Sequence, residues 1–158
     1  MAGLPAREVE GLLRTYADRG VFRSFHVSQT RGGKLGCRFE WLTGRPLTVV
    51  YDPQTDALEF PNLLPEIPAA SAMYAELKAF VRERADPGLP GHRRIDPERA
   101  KVKCSNRKGN VSIIISLREG DREYGVTRAV KLVNEIFLNF LRGPYFDYMV
   151  ANFGEPAE

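Results

Sequence analysis

GNVSIIISLR, residues 109–118, and TRAVKLVNEIFLNFL, residues 127–141, are the two stretches that decide the fold. The first has apolar residues at alternate positions from Val111 to Leu117, which is typical of a buried strand. The second predicts a long helix, and its apolar arc is wider than the roughly 100° that a surface helix needs. A strand followed by such a helix predicts a small α+β domain whose last helix covers a sheet.

The remaining periodicities extend this pattern along the chain. Helical spacing of apolar residues predicts helices over 5–19, 70–84 and 126–142, with a final short helix around 145–153. Period-two alternation and turn residues predict strands over 21–29, 35–41, 47–51, 57–60, 102–104 and 111–117. Residues 61–68 contain three prolines and are expected not to pair regularly in a sheet. Residues 119–122 are expected to turn before a brief pairing at 123–125. This order predicts one α+β domain, 1–158, with a two-layer arrangement of helices packed on a mostly antiparallel sheet.

Length and composition are those of one globular domain. A chain of 158 residues buries about 70% of the surface that its unfolded form exposes, which is enough for a core without disulfides. No run of about 18 apolar residues predicts a membrane span, and the start, MAGLPAREVEGLL, lacks the basic and apolar regions of a secretory signal. We therefore expect a cytoplasmic protein with no membrane partner. The net charge of +3 permits an anionic partner but does not require one.

The residues that carry most enzyme chemistry form no recognisable set. His26 and His92 lack metal-ligand spacing, and Cys37 and Cys104 lie at apolar-facing strand positions, where a thiol is usually buried and inert. A nucleophile–base pair of Cys104 and His92 has no local signature to support it. The sequence thus predicts no enzyme, no cofactor and no metal site.

A basic run between residues 93 and 108 is the first candidate site. The residues proposed to contact an anionic partner are Arg93, Arg94, Lys101, Lys103, Arg107 and Lys108. Lys101 and Lys103 alternate with Val102 and Cys104, so they should share the solvent face of one strand. One alternative is a charged edge strand that discourages aggregation; the other is a contact surface for acidic protein segments or nucleic acid phosphate.

The apolar residues of the C-terminal third are the second candidate site. The protein-interface candidates are Leu132, Ile136, Leu138, Tyr145 and Tyr148. Large apolar patches on soluble proteins usually mark partners, which favours a self-association surface or a groove for another protein. The alternative is that the sheet and the other helices absorb this apolar area completely.

The strand GNVSIIISLR, the turn EGDREYG and the helix VTRAVKLVNEIFLNFL follow a helix, a meander and a second helix. This order resembles the type III secretion chaperone-like fold, including the YbjN-type domains. Members of that family are typically small dimers that bind other proteins and catalyse nothing; secretion chaperones are usually acidic, whereas this chain is basic. The resemblance implies a non-enzymatic adaptor or chaperone-like protein-binding domain that forms a homodimer and holds a protein segment. The alternative is a nucleic-acid-associated protein that uses the basic 93–108 segment.

Overall fold

The computed structural model describes residues 3–29, 33–41, 46–64, 67–91 and 93–137. These residues form one six-stranded antiparallel sheet with three helices packed on it, which confirms the predicted fold class and element order. The elements are α1 Gly3–Asp18, β1 Arg23–Gln29, β2 Leu35–Glu40, β3 Pro46–Asp52, β4 Ala57–Leu64, α2 Ala72–Glu83, β5 Lys101–Arg107, β6 Asn110–Ser116 and α3 Arg122–Glu135.

The strand order is β1-β2-β3-β4-β6-β5. Strands β1 to β4 form a meander, because each pairs with the next along the chain. The chain then passes through α2 and returns with β6 against β4, which leaves β5 at the edge of the sheet. Helix α2 contacts this edge strand; α1 contacts α3, β1 and β3, and α3 also contacts β6.

Strict alternation gives the sheet an inner and an outer face. The inner face lies under the helices, and cross-strand pairs such as Cys37–Val49 and Phe60–Ile113 are fully buried there. Alternate residues form the outer face, where polar and charged side chains predominate. The apolar faces of the three helices join the inner face in one hydrophobic cluster, so a single core holds both layers together.

Strand β4 is longer than the sequence predicts. It was expected to end at Phe60, because proline cannot donate to a ladder, but pairing resumes at Leu64 after a register shift. The irregularity accommodates Pro61: Asn62 adopts a φ of +52°, and its N–H donates to Ser112 Oγ at 3.1 Å. The strand thus extends beyond its predicted end at Phe60, while the irregular pairing after Pro61 agrees with the prediction that this proline-rich segment cannot pair regularly.

Helix α3 begins earlier than predicted. The expected turn is present at residues 119–120, where the N–H of Asp121 donates to the carbonyl of Arg118 at 2.9 Å. The expected brief pairing at 123–125 is wrong, because the helix starts at Arg122 and includes Gly125. That glycine permits a close approach: a Cβ built on it would lie 2.4 Å from Leu117 Cδ2. The predicted helical residues 138–142 and the final short helix around 145–153 lie outside the described residues. Within the described ranges, no helix is both long and apolar enough to cross a membrane.

Candidate functional site

The basic run divides into two parts that behave differently. In the first part, before β5, the arginines bind groups of their own chain. Arg93 Nη2 lies 3.3 Å from Glu135 Oε2, and Arg94 Nε donates to the carbonyl of Ala85 at 3.4 Å. Arg99 Nε donates to Asp121 Oδ1 at 3.0 Å. These arginines attach the 93–100 segment to its surroundings, which reduces what they can offer a partner.

Tyr124 on α3 also holds the 93–100 segment in place. Its hydroxyl accepts the backbone N–H of Asp96 at 2.8 Å and donates to the carbonyl of Arg94 at 3.3 Å. The guanidinium carbons of Arg99 and Arg128 lie 3.8 and 4.7 Å from the centre of its ring, so cation–π attraction adds to the hydrogen bonds. The approach to β5 is therefore held in a defined position relative to α3.

The second part of the basic run carries exposed cations. Lys101 and Lys103 lie on the outer face of β5, and Arg107 and Lys108 lie at the turn that follows. Among the residues that the structure describes, none of these four forms an ion pair or a side-chain hydrogen bond. The prediction that Lys101 and Lys103 share a solvent face, on an edge strand, is confirmed.

The hairpin between β5 and β6 determines which backbone groups face the sheet edge. Lys108 and Gly109 have φ values of +53° and +88°. Positive φ at both central residues is typical of the two-residue type I′ hairpin turn. In such a turn the flanking Arg107–Asn110 pair is hydrogen-bonded, and the pairs then alternate along the ladder. Val102 and Cys104 accordingly direct their N–H and C=O groups away from β6. No backbone hydrogen bond outside the sheet uses these groups in the described part of the chain.

Two cavities meet at the first residue of β5. The inner cavity, of about 220 Å³, lies between β5 and the end of α2 and is lined by Val81, Arg84, Ala85, Ile95 and Val102 among others. The outer cleft, of about 720 Å³, opens on the other face beside Glu98, Ser116, Leu117 and Arg118. Pro97, Ala100 and Lys101 line both. The start of the edge strand thus has a space on each side of the sheet.

A buried arginine forms one wall of the inner cavity. Arg84 is 6% exposed, and its Nη1 lies 2.8 Å from Glu135 Oε2, the carboxylate oxygen that Arg93 also approaches. Its guanidinium carbon is 4.4 Å from the centre of the Phe80 ring. The nearby carboxylate balances the charge of Arg84, so this wall is fixed and has no strong demand for an anion. Its Nε has no hydrogen-bond partner among the described residues.

The outer face away from β5 carries both signs of charge. A depression of about 290 Å³ near the middle of the sheet is lined by Val50, Asp52, Glu59, Lys103 and Ile114 among others. By register, Lys103 pairs with Ile114, which pairs with Glu59 on β4. The purely cationic part of this face is therefore confined to the edge strand.

The two apolar interface candidates that the structure describes, Leu132 and Ile136, do not lie on an exposed surface. Leu132 is 1% exposed and Ile136 is 0% exposed, because α3 is covered by the sheet on one side and by α1 on another. These two residues therefore lie in the core and not at an exposed interface, which agrees with the alternative that the sheet and the other helices absorb this apolar area. The other three candidates, Leu138, Tyr145 and Tyr148, lie outside the described residues.

The thiols and histidines form no reactive centre in the described ranges. Burial raises the pKa of both Cys37 and Cys104 to about 11, so neither thiol ionises appreciably near neutral pH. Both cysteines are free, and no group of three or more His, Cys, Asp or Glu side chains in these ranges could hold a metal ion. His26 is exposed on β1, and His92 lies outside the described residues.

Sequence reasoning located the lysines of this site but missed its cavities. The helical spacing of Val81 and Arg84 on α2 was recognisable, but nothing local indicates that Ile95 and Val102 lie beside them. Comparison with protein-family models, curated proteins and solved structures finds no match to this chain. The interpretation of the site therefore depends on its own geometry.

Proposed function

We propose that this chain is a non-enzymatic, protein-binding domain of the adaptor or chaperone-like kind. It holds an extended acidic segment of another protein as an additional antiparallel strand along β5. The observation that carries this proposal is the combination, on one edge strand, of unpaired lysines with backbone groups directed away from the sheet.

The backbone of β5 supplies the affinity in this arrangement. Strand addition satisfies the N–H and C=O groups of the edge, while side chains at alternate positions provide specificity. Val102 and Cys104 present the groups that a new strand would use. Since the β6 side of the strand is already paired, an added segment completes the ladder without disturbing the sheet.

The charge of β5 selects the kind of segment. Opposite charges on directly facing positions of neighbouring strands contribute about 0.2–1 kcal/mol each, and like charges are destabilising. Lys101 and Lys103 therefore favour acidic residues opposite them. A second copy of β5 would bring lysines against lysines or serines, so the predicted homodimer would need a different surface.

A nucleic acid partner is less well supported by the same geometry. Arg93 and Arg94 already contact Glu135 and Ala85, and carboxylates of Asp52 and Glu59 line the neighbouring part of the outer face. Four exposed cations remain for phosphate contacts. Phosphate binding needs no free strand edge, and this difference separates the two functions experimentally.

The test uses a fluorescently labelled peptide of eight residues in which Glu and Thr alternate. We expect this peptide to bind. N-methylation of its Thr residues should abolish binding, whereas N-methylation of its Glu residues should leave binding unchanged. In the antiparallel arrangement, the inner-face Thr residues donate to β5, whereas the Glu N–H groups face away. Equal binding by both methylated peptides would show charge attraction alone and would overturn strand addition.

The protein-side test reverses two charges on β5. The variant Lys101→Glu/Lys103→Glu should lose binding of the Glu–Thr peptide, because the lysines that face its carboxylates become carboxylates themselves. The matched control is Arg7→Glu/Arg38→Glu, which makes the same change in net charge on α1 and β2 and should bind as the wild type does. A labelled single-stranded oligonucleotide that bound the wild type while the peptide did not would favour the nucleic acid alternative.

A further inference from the structure

The inner cavity beside β5 has the size and lining of a pocket for one apolar side chain. Its volume of about 220 Å³ is below the roughly 300–1,000 Å³ of cavities that hold small-molecule ligands. Val81, Ile95, Ala100 and Val102 contribute apolar walls. Arg84 is already paired with Glu135 at 2.8 Å, and most of the lining is apolar, so the cavity favours an apolar occupant.

The register of an added strand determines what reaches this cavity. Side chains of neighbouring strands at directly opposite positions lie on the same face of a sheet. The residue opposite Val102 would therefore point to the inner face, towards the cavity that Val102 lines. Its two neighbours in the partner would point to the outer face, opposite Lys101 and Lys103.

We infer that the partner segment carries an acidic–apolar–acidic triplet, with the apolar side chain inserted in the inner cavity and the two carboxylates over Lys101 and Lys103. This inference depends on the proposed function, since it describes the sequence that the added strand would have. The partner segment must therefore alternate acidic and apolar residues, because a uniformly acidic segment would place a carboxylate against Val81 and Val102.

The outer cleft supports the same pattern from the other side of the sheet. Lys101 and Arg118 line it together, so the carboxylate opposite Lys101 has a second cation nearby. The Arg118 guanidinium donates to the backbone carbonyl of Glu98, which orients it at the cleft. The two spaces at the start of β5 thus differ in character: the inner one is mainly apolar, and the outer one is more polar, with Lys101 and Arg118 beside Glu98.

The experiment compares two labelled peptides of eight residues, alternating Glu–Val and alternating Glu–Thr. Valine and threonine have nearly the same shape and both favour strands. The two peptides therefore differ mainly in whether a methyl group or a hydroxyl group is buried in the cavity. We expect the Glu–Val peptide to bind about tenfold more tightly, because an unpaired buried hydroxyl costs about 1–3 kcal/mol. The binding constants are measured by fluorescence anisotropy under identical salt.

Two variants show whether the cavity causes this preference. Ala85→Leu enlarges a half-buried side chain that lines the cavity, and it should weaken the Glu–Val peptide more than the Glu–Thr peptide, so that the two bind about equally. Ala75→Leu makes the same change on the exposed surface of α2 and should keep the preference. A circular dichroism melt of each variant confirms that it is folded.

The outcomes separate this inference from the proposed function. Equal binding of the two peptides, or a preference that persists in Ala85→Leu, would overturn the cavity assignment while leaving strand addition in place. Binding of neither peptide to the wild type would overturn both. A preference that is lost in Ala85→Leu and kept in Ala75→Leu supports the triplet.

Discussion

The guanidinium of Arg122 forms a two-pronged contact with the carboxylate of Asp56, with Nε 3.1 Å from Oδ1 and Nη2 3.0 Å from Oδ2. The hydroxyl of Tyr51 donates to the same Oδ1 at 2.6 Å, and Arg122 Nη1 donates to Glu8 Oε1 at 3.2 Å. This network joins the start of α3 to the β3–β4 turn and to α1. It anchors both layers of the fold at the opposite end of α3 from Glu135.

We predict that Asp56→Ala destabilises the protein by about 3 kcal/mol. Removing Asp56 leaves Arg122, which is only 14% exposed, with the more exposed Glu8 as its remaining carboxylate partner, so most of the compensation of a largely buried charge is lost. Asp56→Asn should cost less, because the amide oxygen can still accept from Tyr51 and asparagine tolerates the φ of +54° at this position. Denaturant unfolding measures both changes.

The control for Asp56 is an exposed ion pair of similar length. Arg14 Nη2 and Glu10 Oε2 lie 3.0 Å apart on the surface of α1, where such a pair contributes about 0.3–0.5 kcal/mol. Glu10→Ala should therefore change the free energy of unfolding only slightly. If Asp56→Ala and Glu10→Ala had the same small effect, the Asp56–Arg122 network would not be the anchor that its geometry indicates.

A second prediction concerns Gly125, the residue that allows α3 to approach Leu117. Alanine favours a helix over glycine by about 1 kcal/mol, but the new Cβ would require the buried Leu117 side chain to move, and such overpacking costs about 1–3 kcal/mol. Gly125→Ala should therefore be destabilising. Adding Leu117→Val should recover part of the loss, and a double-mutant cycle on unfolding free energies measures this coupling.

Gly11 provides the matched substitution for this prediction. It lies within α1, and a Cβ added there would meet nothing within 4 Å. Gly11→Ala should therefore stabilise the protein by about 0.5–1 kcal/mol, the opposite sign to Gly125→Ala. Stabilisation by both substitutions would mean that α3 can move away from Leu117 at little cost.

A third prediction follows from the buried thiols. Burial raises the pKa of Cys104 from 9.0 to about 11, so above pH 9 its thiol ionises in the unfolded chain before it ionises in the folded one. The unfolded state then binds fewer protons, and stability falls as pH rises from about 9 to 11, by up to about 1.4 kcal/mol per pH unit for each thiol. Cys37, also raised to about 11, contributes in the same direction.

The variant Cys104→Ala tests this assignment. Unfolding free energies between pH 7 and pH 10, measured by denaturant titration, should fall less steeply above about pH 9 in the variant than in the wild type. The half-buried position of Cys104 makes the substitution mild at neutral pH. Parallel pH profiles for the two proteins would show that Cys104 does not contribute to the alkaline loss.

The fold could be predicted from the sequence where its periodicity is local. The alternation in β2, β3 and β6 indicated both the strands and their buried faces. The continuation of β4 beyond Pro61 was missed because it depends on a contact between Asn62 and Ser112, fifty residues apart. The start of α3 was missed because residues 123–125 were expected to pair briefly as a strand, and the reason for a glycine at position 125 lies in the position of Leu117.

The candidate site was predictable only in its charges. Alternation indicated that Lys101 and Lys103 share an exposed face. Which basic residues stay unpaired could not be predicted, because Glu135 is forty-two positions from Arg93. The inner cavity arises from the packing of α2 against an edge strand, a tertiary relationship without a signature in the residues that line it.

The last prediction tests whether the arginines before β5 and the lysines on β5 contribute differently to peptide binding. Arg93→Ala/Arg94→Ala should leave binding of the Glu–Thr peptide unchanged, because these arginines are occupied by Glu135 and Ala85. Lys101→Ala/Lys103→Ala should weaken it about tenfold, since two facing charge pairs are lost. Anisotropy titrations at about 50 and 200 mM salt should show a weaker salt dependence for the lysine variant than for the wild type. If the arginine variant lost as much affinity as the lysine variant, the whole 93–108 segment would act as one anionic-contact surface, and strand addition at β5 would lose its charge argument.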